Sequence, residues 1–271
     1  MTLLLTGANG QLGTLIKKHL TERGAAFVVG SRTPSPDGRV VDFADPAGME
    51  QAFAGVTTLI LISTSGGDRV TLHGNAVTAA KKAGVRHIIY TSVTDAPTSP
   101  LALAADHKAT EEAIVDSGIA YTFLRNNMYH ENYTGQLAHA DGTFLTSAGS
   151  GLLASAARDD FALAAAVVAT TPGHENTAYE LTGSTAWTFD TFAELVAEIS
   201  GEPFVHKSIP AEDLRAGYIA AGLPPEAADL YTDIHVHIER GALAEVRPDL
   251  EKLIGRPATP VADAIRAALG K

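Results

Sequence analysis

A doubly wound α/β fold, with a Rossmann-type parallel sheet and a smaller, mainly helical C-terminal lobe, is predicted by three observations. Short apolar runs bounded by Gly, Ser, Thr or Asn recur at 3–5, 26–29, 58–62, 87–90 and 121–124. Segments of helical period lie between them at 12–23, 47–53, 71–83 and 106–117. A glycine-rich turn, Thr6-Gly7-Ala8-Asn9-Gly10-Gln11-Leu12-Gly13, joins the first run to the first helix. Continuous apolar runs of this length suit strands covered on both faces. Their alternation with helices argues a sheet that binds its ligand at the carboxyl ends of the strands.

Taken in order, the first helix ends at Gly24 and the fourth at Gly118, as C-caps do. A third short strand, 39–41, leads into Asp42-Phe43-Ala44-Asp45-Pro46, where Asp45 either caps a helix or borders a ligand. After Arg125 the pattern changes. Residues 126–151 are rich in Asn, Tyr, His and Gly and read as a long functional loop that returns to the sheet. An Ala-rich helix follows at 158–170, and 178–181 reads as the last strand. From Thr188 the chain becomes short helices punctuated by Gly201-Glu202-Pro203, Pro224-Pro225 and Arg256-Pro257. The expected division is 1–183 for the nucleotide-binding domain and 184–271 for the helical lobe.

Bulk composition removes several function classes. Of 271 residues, 45% are hydrophobic and 19% charged, as in an ordinary globular protein with a sizeable core. A net charge of −11 without clustered Lys and Arg argues against a nucleic-acid partner. Zero cysteines exclude thiolate catalysis and cysteine-held metals, and suit a reducing, cytoplasmic setting. No apolar run approaches the ~20 residues of a membrane span, and no secretory pattern precedes the first strand. A soluble protein is expected, a monomer or a homodimer.

The turn itself specifies a dinucleotide. Gly7 allows the sharp bend, Gly10 lets backbone approach a pyrophosphate, and Gly13 permits close helix packing. Asn9, Gln11 and Leu12 complete the cradle, with N–H groups and helix dipole directed at the phosphates. An NAD site usually carries Asp or Glu at the end of the second strand, about 20 residues on, whereas NADP calls for a cation. This chain has Gly30-Ser31-Arg32, so Arg32, with Ser31 as second donor, predicts NADPH. Asp42 is placed beside the adenine. Ser63-Thr64-Ser65, after the fourth strand, is placed beside the pyrophosphate and ribose.

The catalytic acid is harder to find. Ketone-reducing short-chain dehydrogenases commonly use a Tyr four residues before a Lys, plus a Ser at the end of the preceding strand. Ser92 is in place; the helix is not. Spacing from Glu111 puts His107 where Lys would be and Leu103 where Tyr would be, and an alternative registration restores no phenol–ammonium pair either. A ketone accepting hydride wants a proton from a positioned acid. A quinone or a cationic dye stabilises the added charge itself, so the missing Tyr favours that kind of acceptor. His107 either orients the nicotinamide ribose or is a satisfied helix histidine.

The stretch from Ser63 to Ser92, then His107 to Tyr133 with Asp116-Ser117-Gly118, Leu124-Arg125-Asn126 and Tyr129-His130-Glu131-Asn132-Tyr133, resembles the NmrA-like atypical short-chain dehydrogenases. The likeness is closest to the branch of type-2 NADPH:quinone oxidoreductases and triphenylmethane reductases. Ala148-Gly149-Ser150-Gly151, Ala154-Ser155-Ala156 and Tyr179-Glu180-Leu181-Thr182-Gly183 extend it over nearly the whole chain. The resemblance implies hydride transfer from NADPH to a quinone-like acceptor in an interdomain cleft. It also implies that Met128, Tyr129, Asn132, Tyr133 and Ala156 border the cofactor. Two departures, Asn127-Met128 for Gly-Trp and His130 for Ser, are expected to reshape the acceptor pocket.

Asn126, Asn127, Tyr129, His130 and Tyr133 read together as pocket lining, with Tyr129 the first choice as acceptor-side hydrogen bonder. For a carbonyl or enone substrate, Tyr129 would be the proton donor. A third reading is a non-catalytic NADP(H) redox sensor. His235-Val236-His237 lies about 200° apart on a helix and predicts no metal site. Trp187 and the 189–195 pattern read as lobe core.

Overall fold

Three consecutive leucines with no polar alternation can be satisfied only between two apolar layers, and Leu3–Leu5 forms an inner strand of the sheet, covered on both sides. The computed structural model describes residues 2–64, 66–139 and 141–271. In chain order the strands are β1 (Leu3–Leu5), β2 (Phe27–Ser31), β3 (Gly38–Val40), β4 (Thr58–Leu61), β5 (His87–Val93), β6 (Ala120–Asn126), β7 (Thr143–Thr146), β8 (Thr177–Leu181) and β9 (Val205–Ser208). Seven of them make one parallel sheet in the order β3-β2-β1-β4-β5-β6-β8. Strand order reverses between β1 and β4, the switch point at which such sheets bind ligands.

One face is covered by α1 (Gln11–Glu22) and α6 (Arg158–Thr170), the other by α2 (Pro46–Ala52), α3 (Arg69–Lys82) and α4 (Ala102–Ser117). Left-handed glycines stop the chain where the sequence predicts. Gly24, at φ +67°, follows the last turn of α1, and Gly118 caps α4 at φ +76°. Asp45 resolves as a cap, its carboxylate accepting from Gly48 N at 3.0 Å.

Two expectations are corrected. Residues 126–151 are not one loop: they hold the short helix α5 (Glu131–Thr134), a 3-10 turn at Leu137–His139 and strand β7. β7 pairs in parallel with β9, so the helical lobe contains a small sheet whose two halves lie on either side of residue 183. The lobe core likewise draws Val93, Leu101, Met128, Tyr133 and Phe144 together with Trp187, Phe189, Phe192, Ile238 and Ile265. The lobe also has α7 (Phe189–Ser200), α8 (Ala211–Ala220), α9 (Pro225–Glu239), α10 (Asp249–Ile254) and α11 (Val261–Leu269). Of these, α10 packs back on α6 through Leu250, inside the sheet's own core.

β5 and β6 run further than their apolar stretches, pairing Ser92 with Arg125 and Val93 with Asn126. The polar extension is stabilised by charge. Arg125 donates to Glu111 of α4 through Nε (3.0 Å) and Nη2 (2.6 Å), and to Glu180 of β8 through Nη1 (2.8 Å). Arg247, in the lobe, reaches Glu180 at 3.5 Å and Asp95 at 2.9 Å. Sheet, helix and lobe thus meet on one ion-pair network. Arg125→Leu leaves the Glu111 carboxylate, 6% exposed, without its cation and is expected to lower the unfolding free energy by about 3–5 kcal/mol. Breaking the surface pair Lys18–Asp159 with Lys18→Ala should cost below ~1 kcal/mol. Urea denaturation of the two variants measures both.

Candidate cofactor and active site

The glycine turn has the geometry of a phosphate cradle. Gly7 takes φ +60°, and Gly10, whose N–H donates to Gly7 O at 2.9 Å, stands at the N-cap of α1 with no side chain covering the helix end. A Cβ on Gly13 would lie 2.2 Å from Gly7 O, so only glycine lets the helix approach the turn this closely. Thr6 ties the turn to the switch point, donating to Ile60 O at 3.1 Å and accepting from Ile62 N at 3.0 Å. Asn9 and Gln11 are exposed at the mouth, while Leu12 sends its side chain into the core and offers only backbone. These residues fit a dinucleotide: the helix end is open, and the turn packs on the helix as closely as glycine alone allows.

At the adenine end, Ser31 closes β2 with its hydroxyl donating to Thr33 O at 2.6 Å. Arg32, the next residue, is exposed and enters no ion pair among the described residues. Asp42 accepts from Ala44 N at 3.0 Å, which holds the turn beyond β3. Past β4, the backbone N–H groups of Ser63 and Thr64 are already engaged, by Thr91 Oγ1 at 2.9 Å and His73 Nε2 at 3.1 Å. Of the hydroxyls, Thr64 Oγ1 donates to Gly66 O at 3.3 Å, while Ser63 Oγ accepts from Thr91 Oγ1 at 3.3 Å and keeps its own proton for a ligand. Ser65 lies outside the described residues.

The 126–133 segment divides between two cores. Tyr129 and Ala156 form an isolated parallel bridge, with Ala156 N donating to Met128 O at 3.1 Å and His130 N to Ala156 O at 2.9 Å. Tyr129 belongs to the sheet side. Its ring packs on Phe161 at 5.4 Å, lies 4.8 Å below the Arg158 guanidinium and stays partly exposed. Burial pushes its phenol up, against a pull from the Asn126 amide, so it remains a hydroxyl donor at neutral pH. Asn126 Oδ1 is buried without a partner among the described residues. Asn132 is exposed.

Four sequence expectations change here. Tyr133 is 3% exposed, its ring edge-on to Trp187 (5.6 Å) and Phe189 (5.2 Å), which makes it lobe core rather than an open cofactor contact. His130 does not line an acceptor pocket: it is a buried crosslink, Nε2 donating to Thr259 O at 3.0 Å and Nδ1 accepting from Ser155 Oγ at 2.8 Å. Trp187 Nε1 donates in turn to Ser155 Oγ at 3.1 Å. Asn127 is likewise buried, its amide donating to Leu243 O. Ser92 gives its proton to Glu111 Oε1 at 2.6 Å, inside the Arg125 network, and so has none for a substrate.

His107 is held differently. It lies on the buried stripe of α4 with Nδ1 2.8 Å from Tyr90 OH. Burial, with the charge of Arg69 and a neighbouring His73, takes it down to about 3; burial and Arg69 take His73 down to about 4. Residue reasoning missed His73, Tyr90 and Arg158. A signal for the first was present: His73 shares its buried stripe with Ala76, Val77 and Ala80, at helical core spacing, where a polar residue demands a partner. His235 and His237, both buried on α9, join no group of three possible metal ligands among the described residues.

Because His73, His107 and His235 (about 4, again chiefly from burial) are neutral in the folded chain and titrate near 6.5 when unfolded, the unfolded state binds more protons below that value. Stability is complete above pH 6.5 and is lost as pH falls toward 4. Each of these histidines should contribute on the order of 1.4 kcal/mol per pH unit between 6.5 and 5. Denaturant titrations at pH 7, 6 and 5 check this, and His107→Gln should flatten the slope.

Comparison with known proteins agrees with this geometry. A family model described as NAD(P)H-binding matches residues 7–172. The chain is 40% identical over 275 residues to quinone oxidoreductase 2 of Escherichia coli (strain K12), covering 96% of each. Among solved structures, the triphenylmethane reductase of Citrobacter sp. superposes with a TM-score of 0.94 at 36% identity over 100% of both chains. The NADPH-dependent quinone oxidoreductase of Escherichia coli complexed with NADPH gives 0.94 at 39% identity, over 98% of this chain and 99% of that one. The chain belongs to the NAD(P)H-binding family and, within it, to the NmrA-like oxidoreductases that its own motifs resemble.

Proposed function

We propose that this chain is an NADPH-dependent oxidoreductase passing hydride to a quinone-like or otherwise conjugated small-molecule acceptor, between the strand ends and the C-terminal lobe. The observation that carries the reading is an open dinucleotide cradle beside a catalytic neighbourhood with no strong acid. His107 is neutral, Ser92 has given its proton to Glu111, and Glu111 is locked to Arg125. The named activities of the quinone oxidoreductase and dye reductase relatives support the same acceptor class.

When bound, NADPH supplies a hydride, and a quinone that accepts it becomes a hydroquinone with a proton drawn from solvent. Gly10, Gln11 and the α1 N-terminus would hold the pyrophosphate, and Arg32 the 2′-phosphate. Tyr129, fixed by Phe161 and Arg158, donates its hydroxyl hydrogen bond to an acceptor oxygen without having to lose the proton. A cytoplasmic location and a homodimeric state belong to the same proposal, the first because a chain without cysteines suits a reducing compartment.

Stopped-flow oxidation of enzyme-bound NADPH by 1,4-benzoquinone is expected to outrun the uncatalysed reaction, with simple ketones left unreduced. Turnover of ketones alone would replace this reading by a carbonyl reductase with Tyr129 as acid. Tight NADPH binding without turnover of either would replace it by a redox sensor. Arg32→Ala should weaken NADPH binding roughly ten- to a hundredfold and leave NADH unchanged; fluorescence titration with both nucleotides measures the difference.

A further inference from the structure

A continuous line of hydrogen bonds runs beneath the switch point, through groups that the proposed chemistry does not use. Thr64 N–H donates to His73 Nε2 at 3.1 Å. The neutral His73 must then carry its proton on Nδ1, which lies 3.0 Å from Thr110 Oγ1 and 3.4 Å from Tyr90 OH. Thr110 sends its own hydroxyl proton to Asp106 O at 2.9 Å and is therefore free to accept. Tyr90 is fully buried. Its O–H cannot donate to a nitrogen that already holds a proton, and leaving it unpaired would cost the full desolvation penalty. It donates instead to His107 Nδ1 at 2.8 Å. With Nδ1 accepting, His107 carries its proton on Nε2, for which no described residue is a partner.

We infer that His73 and Tyr90 are positioning residues that hold His107 as a neutral Nε2–H donor for a sugar hydroxyl of the bound dinucleotide, in line with the backbone of Thr64. Tyr90 pairs in register with Leu61, the last residue of β4, so the line sits at the carboxyl end of β4, the strand beside the switch point. A protonated imidazole or a mobile ammonium could give and lose a proton there; this arrangement donates one hydrogen bond of fixed direction. The inference rests on the proposed placement of the cofactor along Ser63, Thr64 and His107.

Two measurements test it on the intact chain. In long-range 1H–15N spectra of the NADPH-bound protein, His107 should show the Nε2–H pattern from pH 6 to 9, and Tyr90→Phe should shift it toward a mixture of tautomers. The same substitution should weaken NADPH binding about five- to tenfold, the worth of one hydrogen bond, and raise KM for NADPH far more than it lowers kcat. In a His107→Ala background, Tyr90→Phe should have no further effect on NADPH affinity. Thr110→Val removes a hydroxyl that meets both His73 Nδ1 and the Tyr90 phenol; should Tyr90→Phe fail to fold it serves as the second route, and it should move the His73 nitrogen signals while His107 keeps its Nε2–H pattern. An Nδ1–H pattern of His107 in the parent protein, unchanged tautomers in Tyr90→Phe, unmoved His73 signals in Thr110→Val, or additive affinity losses would overturn the inference. Failure of the parent protein to bind NADPH would sink the cofactor placement, and with it the donor role, while the tautomer pattern of the free protein still reports the hydrogen-bonded line.

Discussion

Arg125 organises this molecule. Its guanidinium lies between the carboxylates of Glu111 and Glu180, and so ties the end of β6 to α4 on one side and to β8 on the other. Thr94 Oγ1 and Asp95 N donate to Glu180 from the chain beyond β5, and Arg247 brings in the lobe. Burying such charges is expensive, and their mutual attraction repays it only when every oxygen has a donor. Glu111 meets that condition with Arg125 and Ser92, Glu180 with Arg125, Thr94 and Asp95.

This network also shapes the chemistry. A serine at the end of β5 and a carboxylate one helical turn past His107 are residues from which a proton-transfer apparatus could be built. Here both are committed to holding the scaffold. What remains near the cradle are neutral groups: an imidazole whose basicity is suppressed by burial and by Arg69, and a phenol kept protonated by its surroundings. Such a site orients well and transfers protons poorly. It suits an acceptor whose added electrons are delocalised as they arrive.

The sheet was readable in the sequence because its strands are covered on both faces, which forces unbroken apolar runs such as Leu3–Leu5 and Thr58–Leu61. The glycine turn was readable because a close approach of backbone to backbone, as at Gly13, admits one residue type. The small β7–β9 sheet was not. Val205–Ser208 is short, polar and largely exposed, and its partner lies about sixty residues away, so nothing local marks it. The polar cluster at 126–133 misled for a related reason. Composition shows that such residues need partners; only the Tyr129–Ala156 bridge shows that Tyr129 faces the sheet side while His130 and Tyr133 are consumed inside the lobe. Arg125 drew notice only as part of a family motif, because ion pairs across 14 and 55 residues leave no periodic trace.

The central claim is that hydride reaches its acceptor without a proton from the protein. Single-turnover oxidation of NADPH by benzoquinone, with the transferred hydrogen replaced by deuterium and the reaction run in H2O and D2O, tests it most directly. The account predicts a clear isotope effect from the transferred deuterium and none from the solvent. A solvent isotope effect on the same step would show a positioned acid at work and would contradict it.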